Sequence, residues 1–495
     1  MPTRRSVLKT ILVGGTAIMT GQALPIFGRE ASAASKFSNM LKIPPLLHGE
    51  KQGMERVYDL RLQRGNARFF KGYLTPTLGV NGNFLGPTVK MRTGEDVRLN
   101  VTNTIGESTT LHWHGFHVPA KYDGGPHQVI SDRKTWSPHF KVMQMAATYW
   151  YHPHMMHKTG EHVWRGLAGF IIVEDNISDK LNLPRDYGVN DIPLVLQDRR
   201  FNREGSFSYV SSMHDVMMGM KGDTMLVNGT IAPYFEAKTQ KLRLRLLNGS
   251  NARFYNIGFD DERLFHQIAT DGSFLETPFE TNRIQIGPGE RAEIIVDVSD
   301  NKHVVLRSYP VVSSGMGMGR RMGSDMRGFD CLEIRPTAKL RPSPKIPANL
   351  IVLPKLKETE AAITRRFKLE MRMGPGMMFG GSSPFRINGK SMKLSRIDEV
   401  VKLGDTEIWE IENNSPMPHP FHIHDIQFLI LDRNGRPPSP GERGFKDTVT
   451  VNQAETVRII AKFADYADPE KPYMYHCHIL EHEDAGMMGQ FIVKA

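Results

Sequence analysis

Hydrophobic and polar residues alternate along several short segments of this 495-residue chain. The alternation is clearest in "VRLNV" (97–101), "KLRLRLL" (241–247) and "EIWEI" (407–411). A period of two places successive side chains on opposite faces of a strand, so these segments predict half-buried antiparallel β-strands. Long stretches with the period of a helix are scarce. The pattern therefore predicts an all-β protein.

Each of these strands belongs to a longer unit that begins with an Asn-Gly pair. The units start at Asn81, Asn228 and Asn388, and each continues through an apolar segment and a second turn to the alternating strand, which ends in Asn. Asn-Gly suits tight β turns because both residues tolerate a positive φ. Since the copies lie about one domain length apart, the repeats predict three β-sandwich or barrel domains.

The domain boundaries follow from the repeats and from a shift in composition. We expect a first domain over residues 45–178, a second over 188–336 and a third over 365–495. The stretch from Pro336 to Glu360 holds five prolines, which is typical of a linker between domains, and residues 337–364 are assigned to it.

The N-terminal segment resembles an export signal rather than a part of the fold. Paired arginines, Arg4 and Arg5, precede a short apolar run and an Ala-Ser-Ala cleavage pattern at 31–33. A membrane anchor is the alternative, but three glycines and a proline break the apolar run. Residues 1–33 are therefore predicted to be a twin-arginine signal peptide, with a periplasmic mature chain that has no stable membrane insertion.

The formal net charge of +10 lies partly in this N-terminal segment. No arginine-aromatic stripe and no nucleic-acid-binding motif accompanies the charge, so we expect no nucleic-acid partner. The two cysteines are too few for a disulfide scaffold. Cys331 alternates with Leu332 and Ile334 as a buried strand residue would.

Ten of the nineteen histidines fall into four short motifs. The motifs are "HWHG" (His112, His114), "YHPHMM" (His152, His154), "HPFHIH" (His419, His422, His424) and "HCHILEH" (His476, His478, His482). Two lie in the first repeat and two in the third. Residues i and i+2 of a strand share a face, so four His-x-His pairs bring eight imidazoles together. Eight imidazoles predict a cluster of metal ions rather than a single ion.

Cys477 narrows the choice of metal. On a strand its thiol points away from its neighbours His476 and His478, toward a different site. Two histidines, one cysteine and a weak methionine are the ligands of a blue-copper electron-transfer centre. We assign this type 1 set to His419, Cys477, His482 and Met487. One blue copper and a three-copper cluster can together hold the four electrons that reduce dioxygen to two waters.

The four motifs, in this order, resemble the copper-binding signatures of the multicopper oxidase family, with closest similarity to the bacterial periplasmic copper-efflux (cuprous) oxidases. The resemblance covers nearly the whole mature chain, including "DGGP" (123–126). It implies three cupredoxin-like Greek-key domains and four copper ions: one type 1, one type 2 and two type 3. By that pattern the type 2 ligands are His112 and His422. The type 3 pair is bound by His114, His152, His154, His424, His476 and His478.

The resemblance also implies further site residues. Asp123 matches an acid near the copper cluster, and Glu483 matches an acid on a proton route to reduced oxygen. Met371 and Met417 fall where cuprous oxidases bind the substrate Cu(I). The acidic partners of those methionines do not carry over, because Ser415 and Gly376 stand at their positions.

The resulting expectation is an oxidase that uses dioxygen and one-electron donors and works as a monomer in copper tolerance. Cu(I) is the first candidate donor, because methionines cluster in three places: 213–220, 316–326 and 371–378. A laccase-like phenol oxidase without a role in copper tolerance is an alternative. A non-enzymatic copper-binding or structural cupredoxin protein is a second alternative, which the full ligand set opposes.

Overall fold

The computed structural model describes residues 36–311, 325–371 and 383–495. The predicted signal peptide and most of the last two methionine clusters lie outside these residues. The fold is mostly β, with 49% strand and 7% helix, which confirms the all-β prediction. In the described ranges, no helix is both long and apolar enough to cross a membrane.

Residues 37–495 form one compact unit in which six sheets follow the chain in three successive pairs. The first pair consists of Leu46–Leu47, Glu50–Gln52, Glu55–Ala67, Thr75–Val80, Thr88–Arg92, Asp96–Thr104, His112–His114, Thr135–Trp136, His139–Lys141, Ala147–His152 and Gly169–Glu174. The second consists of Asn39–Met40, Asp191–Arg199, Thr224–Val227, Thr230–Ile231, Pro233–Thr239, Lys241–Asn248, Tyr255–Phe259, Phe265–Ala269, Phe274–Thr281, Ile284–Ile286, Arg291–Asp297, Val304–Tyr309 and Phe329–Arg341.

The third pair of sheets carries two of the four histidine motifs. Its strands are Ala361–Met371, Phe385–Ile387, Glu399–Lys402, Thr406–Asn413, His419–Ile423, Phe428–Arg433, Thr448–Val451, Thr456–Lys462, Asp468–Cys477 and Met488–Lys494. The described α-helices are short, at Thr159–Arg165, Met213–Met218 and Leu480–Asp484. Each pair of sheets encloses its own hydrophobic core, so the three predicted sandwiches are present as three cupredoxin-like domains.

The three Asn-Gly turns have the same structure. Asn81, Asn228 and Asn388 have φ values of 53°, 50° and 52°, in the left-handed region that asparagine tolerates. Each amide bridges two alternate residues of the strand beside it, donating to one carbonyl and accepting from the second N–H. The bridged pairs are Asp59 and Arg61, Pro193 and Val195, and Arg366 and Lys368. This shared clamp supports the triplication that the sequence predicts.

The three alternating strands, which the sequence predicts to be antiparallel, lie in mixed sheets. The strands Asp96–Thr104, Lys241–Asn248 and Thr406–Asn413 each pair with one parallel and at least one antiparallel strand. Alternation fixes which residues share a face, but it carries no information about the direction of the next strand.

Two strands extend into the predicted linker at 337–364. Phe329–Arg341 enters it from the second pair of sheets, and Ala361–Met371 begins inside it. The strand Asn39–Met40 lies ahead of the predicted first domain and pairs in parallel with Pro233–Thr239. A linker predicted from its proline content misses such extensions, because an edge strand tolerates proline. The boundaries stay predictions.

Candidate metal centres

The strand His419–Ile423 divides the third motif between two sites. Its residue His422 lies opposite His476 on the neighbouring strand, and Phe421 lies opposite Cys477. Directly opposed residues share a face of the sheet, and successive residues alternate between faces. His419 therefore lies on the face of Cys477, whereas His422 lies on the face of His476.

The first two motifs meet in the same way within the first domain. His152 pairs with His112, and Trp150 pairs with His114, so three imidazoles share one face. His154 lies two residues beyond the end of the strand Ala147–His152. The strand argument from His-x-His spacing applies in full to His112 and His114, whereas His154, His424 and His478 each lie just beyond the end of a strand.

The eight imidazoles of the His-x-His pairs converge between the first and third domains. All are fully buried, and their rings interleave: His112 stacks on His424 at 3.9 Å between centroids, and His114 stacks on His422 at 3.7 Å. Ligand atoms within 4.8 Å of one another define three groups that consist of histidines alone. These are His112, His422 and His424; His114, His152 and His478; and His154, His424 and His476. We refer to the eight residues as the histidine cluster.

Hydrogen bonds fix which ring nitrogen most members turn toward the cluster. The Nδ1 atoms of His112, His152 and His422 donate to backbone carbonyls at 2.8 Å, and Nδ1 of His424 donates to Asp123 Oδ2 at 2.8 Å. Nδ1 of His476 lies 3.1 Å from the Cys477 carbonyl. These rings turn Nε2 inward, so backbone and carboxylate partners orient the imidazoles as they do around bound metals.

His114 is reversed. Its Nε2 lies 2.9 Å from Asp447 Oδ1 and 3.1 Å from Thr448 Oγ1. Its Nδ1 faces inward, 3.3 Å from His152 Nε2.

The buried imidazoles are better suited to binding metal ions than to a core held together by hydrogen bonds. In the described part of the chain, the Nε2 atoms of His112 and His422 and both ring nitrogens of His478 have no hydrogen-bond partner, although they are buried. Unpaired buried polar atoms are costly. Burial also lowers the pKa of His112 to about 4 and that of His478 to about 3, so the rings are neutral, as metal ligation requires.

A second group of donors lies on the other face of the strand, within the core of the third domain. Cys477 Sγ is 3.2 Å from His419 Nδ1 and 3.8 Å from His482 Nδ1. The outer nitrogens are held by Ser415 Oγ at 2.6 Å and by the Met217 carbonyl at 3.1 Å. Both rings therefore present Nδ1 to the thiol. We call this group the thiol site.

Met487, the fourth predicted type 1 ligand, lies beside Cys477. The backbone N–H of Cys477 donates to the Met487 carbonyl at 3.0 Å, and Met488 lies opposite His476. By alternation, Met487 faces the side of Cys477, in the same hydrophobic core. Burial raises the pKa of the Cys477 thiol, so a bound cation is needed to hold it as thiolate.

The two predicted acids contact the histidine cluster. Asp123 Oδ2 accepts from His424, and its Oδ1 lies 3.5 Å from His112 Nδ1. Glu483 lies between two members, 3.3 Å from His154 Nδ1 and 3.2 Å from His476 Nδ1. Burial raises the pKa of both carboxyl groups well above the usual range.

The predicted substrate methionines lie on the hydrophobic core that contains Cys477. Met417 is buried in the core that contains Cys477, and Met371 packs against the same core with part of its side chain exposed. In the first methionine cluster, the helix Met213–Met218 supplies the carbonyl that holds His482. The methionines that follow Met371 in the third cluster, and those of the second cluster other than Met326, lie outside the described residues.

Sequence reasoning missed a polar anchor of the cluster. Asp447 is fully buried, contacts His114 and receives two hydrogen bonds from Arg291 of the second domain. The only local signal was the polar triplet "KDT" (446–448) at the start of a strand. Nothing in the sequence connects it to Arg291, because the contact is between domains.

A cleft of about 250 Å³ beside the third motif holds a histidine between two carboxylates. His117 Nδ1 lies 2.8 Å from Asp425 and Nε2 lies 3.2 Å from Asp465. Burial alone would lower the pKa of His117, but the two carboxylates raise it to about 9. The His117 imidazolium therefore forms stabilising ion pairs with Asp425 and Asp465 near neutral pH.

We predict that this ion pair makes stability depend on pH in the alkaline range. The pKa of His117 is about 9 in the folded protein and about 6.5 in the unfolded chain. Its contribution to the free energy of unfolding is therefore complete below about pH 6.5 and is lost as the pH rises through about 9. The urea midpoint of the wild type should exceed that of His117→Gln at about pH 6.5, with a difference that shrinks by about pH 9.5. The exposed His303→Gln is the control, and a difference independent of pH would contradict the assignment.

The fold and the two donor groups define a copper protein: a thiol, two imidazoles and a nearby methionine on one face, and a cluster of imidazoles on the other. Sequence models of three protein families, each described as "Multicopper oxidase", match residues 61–178, 191–325 and 359–495. The chain belongs to the multicopper oxidase family and is an oxidoreductase that carries four coppers: one type 1, one type 2 and two type 3.

Known relatives cover nearly the whole chain. "Multicopper oxidase mco" of Staphylococcus aureus is 37% identical over 93% of this chain and 94% of its own. "Cell division protein FtsP" of Salmonella typhimurium is 34% identical over 97% of both. The structure of a bacterial laccase-like multicopper oxidase, CueO from Ochrobactrum sp., has a TM-score of 0.83 and 36% identity, and covers 92% of this chain and 100% of that one.

Proposed function

We propose that this enzyme is a cuprous oxidase of copper tolerance that oxidises Cu(I) at the thiol site with dioxygen as the acceptor. The observation that carries the proposal is the position of two thioethers, Met371 and Met417, on the core that encloses Cys477. Thioethers are soft ligands that select Cu(I) over harder cations.

We assign the copper ligands as the sequence motifs suggest. His419, Cys477, His482 and Met487 would hold the type 1 ion, and His112 and His422 the type 2 ion. The type 3 pair would be held by His114, His152, His154, His424, His476 and His478. The unpaired ring nitrogens and the division between the two faces of the strand support this assignment. When bound, the copper ions supply one-electron oxidation of the donor and four-electron reduction of dioxygen to water.

The chain itself provides the link between the two sites and the protons. Cys477 is bonded through the backbone to His476 and His478, so the thiol site and the histidine cluster are joined by one residue on each side. Asp123 and Glu483 are buried beside the cluster, and burial raises the pKa of both, which suits them to give a proton to reduced oxygen. The surrounding burial excludes bulk water from both sites.

The proposal includes export. The paired arginines and the cleavage pattern of residues 1–33 support secretion by the twin-arginine route and a periplasmic, monomeric mature enzyme. Immunoblotting of fractionated cells would show a shortened chain in the periplasm, and Arg4→Lys combined with Arg5→Lys should retain the full-length chain in the cytoplasm.

Metal analysis with absorption spectra tests the oxidase assignment. We expect four coppers per chain, a blue thiolate band and a near-ultraviolet type 3 band. One copper or none per chain, after incubation with excess copper, would instead favour a non-enzymatic copper-binding or structural cupredoxin protein. Turnover under oxygen is then compared for Cu(I), a phenol and an aromatic amine. This comparison tests which donor is the substrate.

A laccase-like activity on phenols is the second candidate. Ser415, a neutral residue, holds His419 where the cuprous oxidase pattern has an acid, so this position offers no carboxylate to Cu(I). The relative from Ochrobactrum is described as active toward lignin model compounds and lignosulfonate. A phenol turnover much faster than Cu(I) turnover would favour this candidate.

We predict that methionine substitutions near the thiol site affect Cu(I) selectively. Leucine keeps the volume of methionine but removes the sulfur, so Met371→Leu and Met417→Leu should lower kcat/KM for Cu(I) by at least about fivefold. The same variants should oxidise phenols at the wild-type rate. Met91→Leu, in the core of the first domain, is the control. Equal effects on both donors, or none, would refute the substrate assignment.

A further inference from the structure

The second domain contributes none of the eight histidines, yet one of its turns reaches the cluster. Gly289 has a φ of +84° and approaches the His478 ring so closely that a β-carbon at residue 289 would lie 2.9 Å from His478 Cδ2. Only glycine combines this conformation with this contact. The turn "GPGER" (287–291) therefore forms one wall of the cluster.

Arg291, at the end of this turn, is fully buried and makes a two-pronged contact with a carboxylate of the third domain. Its Nη1 and Nη2 donate to the two oxygens of Asp447 at 2.8 and 2.6 Å. Its Nε donates to the Thr148 carbonyl of the first domain at 3.0 Å. One guanidinium thus fixes Asp447 relative to all three domains, in the planar geometry that arginine favours.

Asp447 in turn fixes the one reversed imidazole. Its Oδ1 accepts from His114 Nε2, and Thr448 Oγ1 donates to the same carboxylate oxygen at 2.9 Å. With Nε2 occupied, only Nδ1 of His114 is left to face His152. A carboxylate that holds one ring nitrogen sets the tautomer and the orientation of the other.

We propose that Arg291 is a positioning residue for the type 3 copper pair, because it locks Asp447 in the orientation that makes His114 present Nδ1. The second domain then does more than separate the ligand-bearing domains: it selects the ligand atom. This inference rests on the proposed ligand assignment for His114, His152 and His478.

A purely structural ion pair is the competing explanation, since any buried arginine that loses its partner destabilises a fold. Arg245 offers a matched control. It is similarly buried in the second domain, donates to both carboxylate oxygens of Asp191 through Nε and Nη2, and donates to Glu293 through Nη1, and none of these partners is a histidine. Lysine at either position keeps the positive charge but lacks the planar guanidinium that donates to two oxygens at once.

The test compares Arg291→Lys and Asp447→Asn with Arg245→Lys in the copper-loaded enzyme. The readout is the near-ultraviolet type 3 band relative to the blue band, followed while a copper chelator is titrated. We expect the chelator concentration that removes half of the type 3 band to fall by about tenfold or more in the first two variants. The blue band should persist, because the thiol site has separate partners.

In Arg245→Lys we expect both bands to retain the wild-type ratio and chelator resistance, even where the unfolding midpoint drops. Unchanged type 3 resistance in Arg291→Lys would overturn the proposal, as would parallel loss of both bands in every variant. If Asp447→Asn does not fold, Arg291→Lys decides alone. A wild type that lacks the type 3 band would refute the ligand assignment, and a wild type that oxidises no Cu(I) would leave this test unaffected.

Discussion

Cys477→Ser is expected to abolish the blue absorption, to lower the copper content from four ions per chain to three, and to reduce donor oxidation to background. The thiolate is the ligand that defines the type 1 centre, and a serine hydroxyl is too hard and too weakly acidic to replace it. The near-ultraviolet type 3 band should remain, because His476 and His478 face the opposite side of the strand. Copper analysis and spectra of the purified variant check each part.

The other cysteine is a matched control. Cys331 is equally buried, in the core of the second domain, and burial raises its pKa to about 12, so it stays a thiol. Cys331→Ala should keep four coppers, the blue band and donor oxidation. A blue Cys477→Ser variant, or one that still oxidises donors at the wild-type rate, would contradict the assigned path from the thiol to the cluster.

Asp123→Asn is expected to lower kcat for oxygen reduction by about 10²–10⁴-fold, the usual contribution of a general acid. The amide keeps the size of the side chain and an acceptor for His424, but it has no proton to give. Steady-state oxygen consumption with a fast donor measures the loss, and copper content should remain at four per chain.

The exposed Asp223→Asn, which removes a carboxylate far from any histidine motif in the sequence, should keep the wild-type kcat. If Asp123→Asn loses copper in proportion to activity, Asp123 is an anchor for His424 and the proton role is wrong. Unchanged kcat would contradict both roles.

The faces of the strands could be predicted from sequence, because a period of two requires no tertiary information. That rule separated Cys477 from His476, and the sheet register agrees with it. The Asn-Gly repeats likewise predicted three equivalent turns, and the three asparagines make the same clamp. Local pattern was sufficient wherever the chemistry lay within one strand or one turn.

The contacts between domains could not be predicted in this way. Arg291 and Asp447 are separated by 156 positions, and neither has a motif around it. The Met217 carbonyl that holds His482 is a backbone group, which any residue could supply. The direction of neighbouring strands was also beyond reach, since parallel and antiparallel pairing bury the same alternating residues.

The histidine cluster has a consequence for the order of folding. His154 and His476 meet across 322 positions, and the helix Leu480–Asp484 is tied to the first domain through Asp484 and to the second through Glu481. Contacts of such long range form late. The histidine cluster therefore cannot assemble before the first and third domains meet, and copper bound there stabilises the completed fold over intermediates that lack this contact.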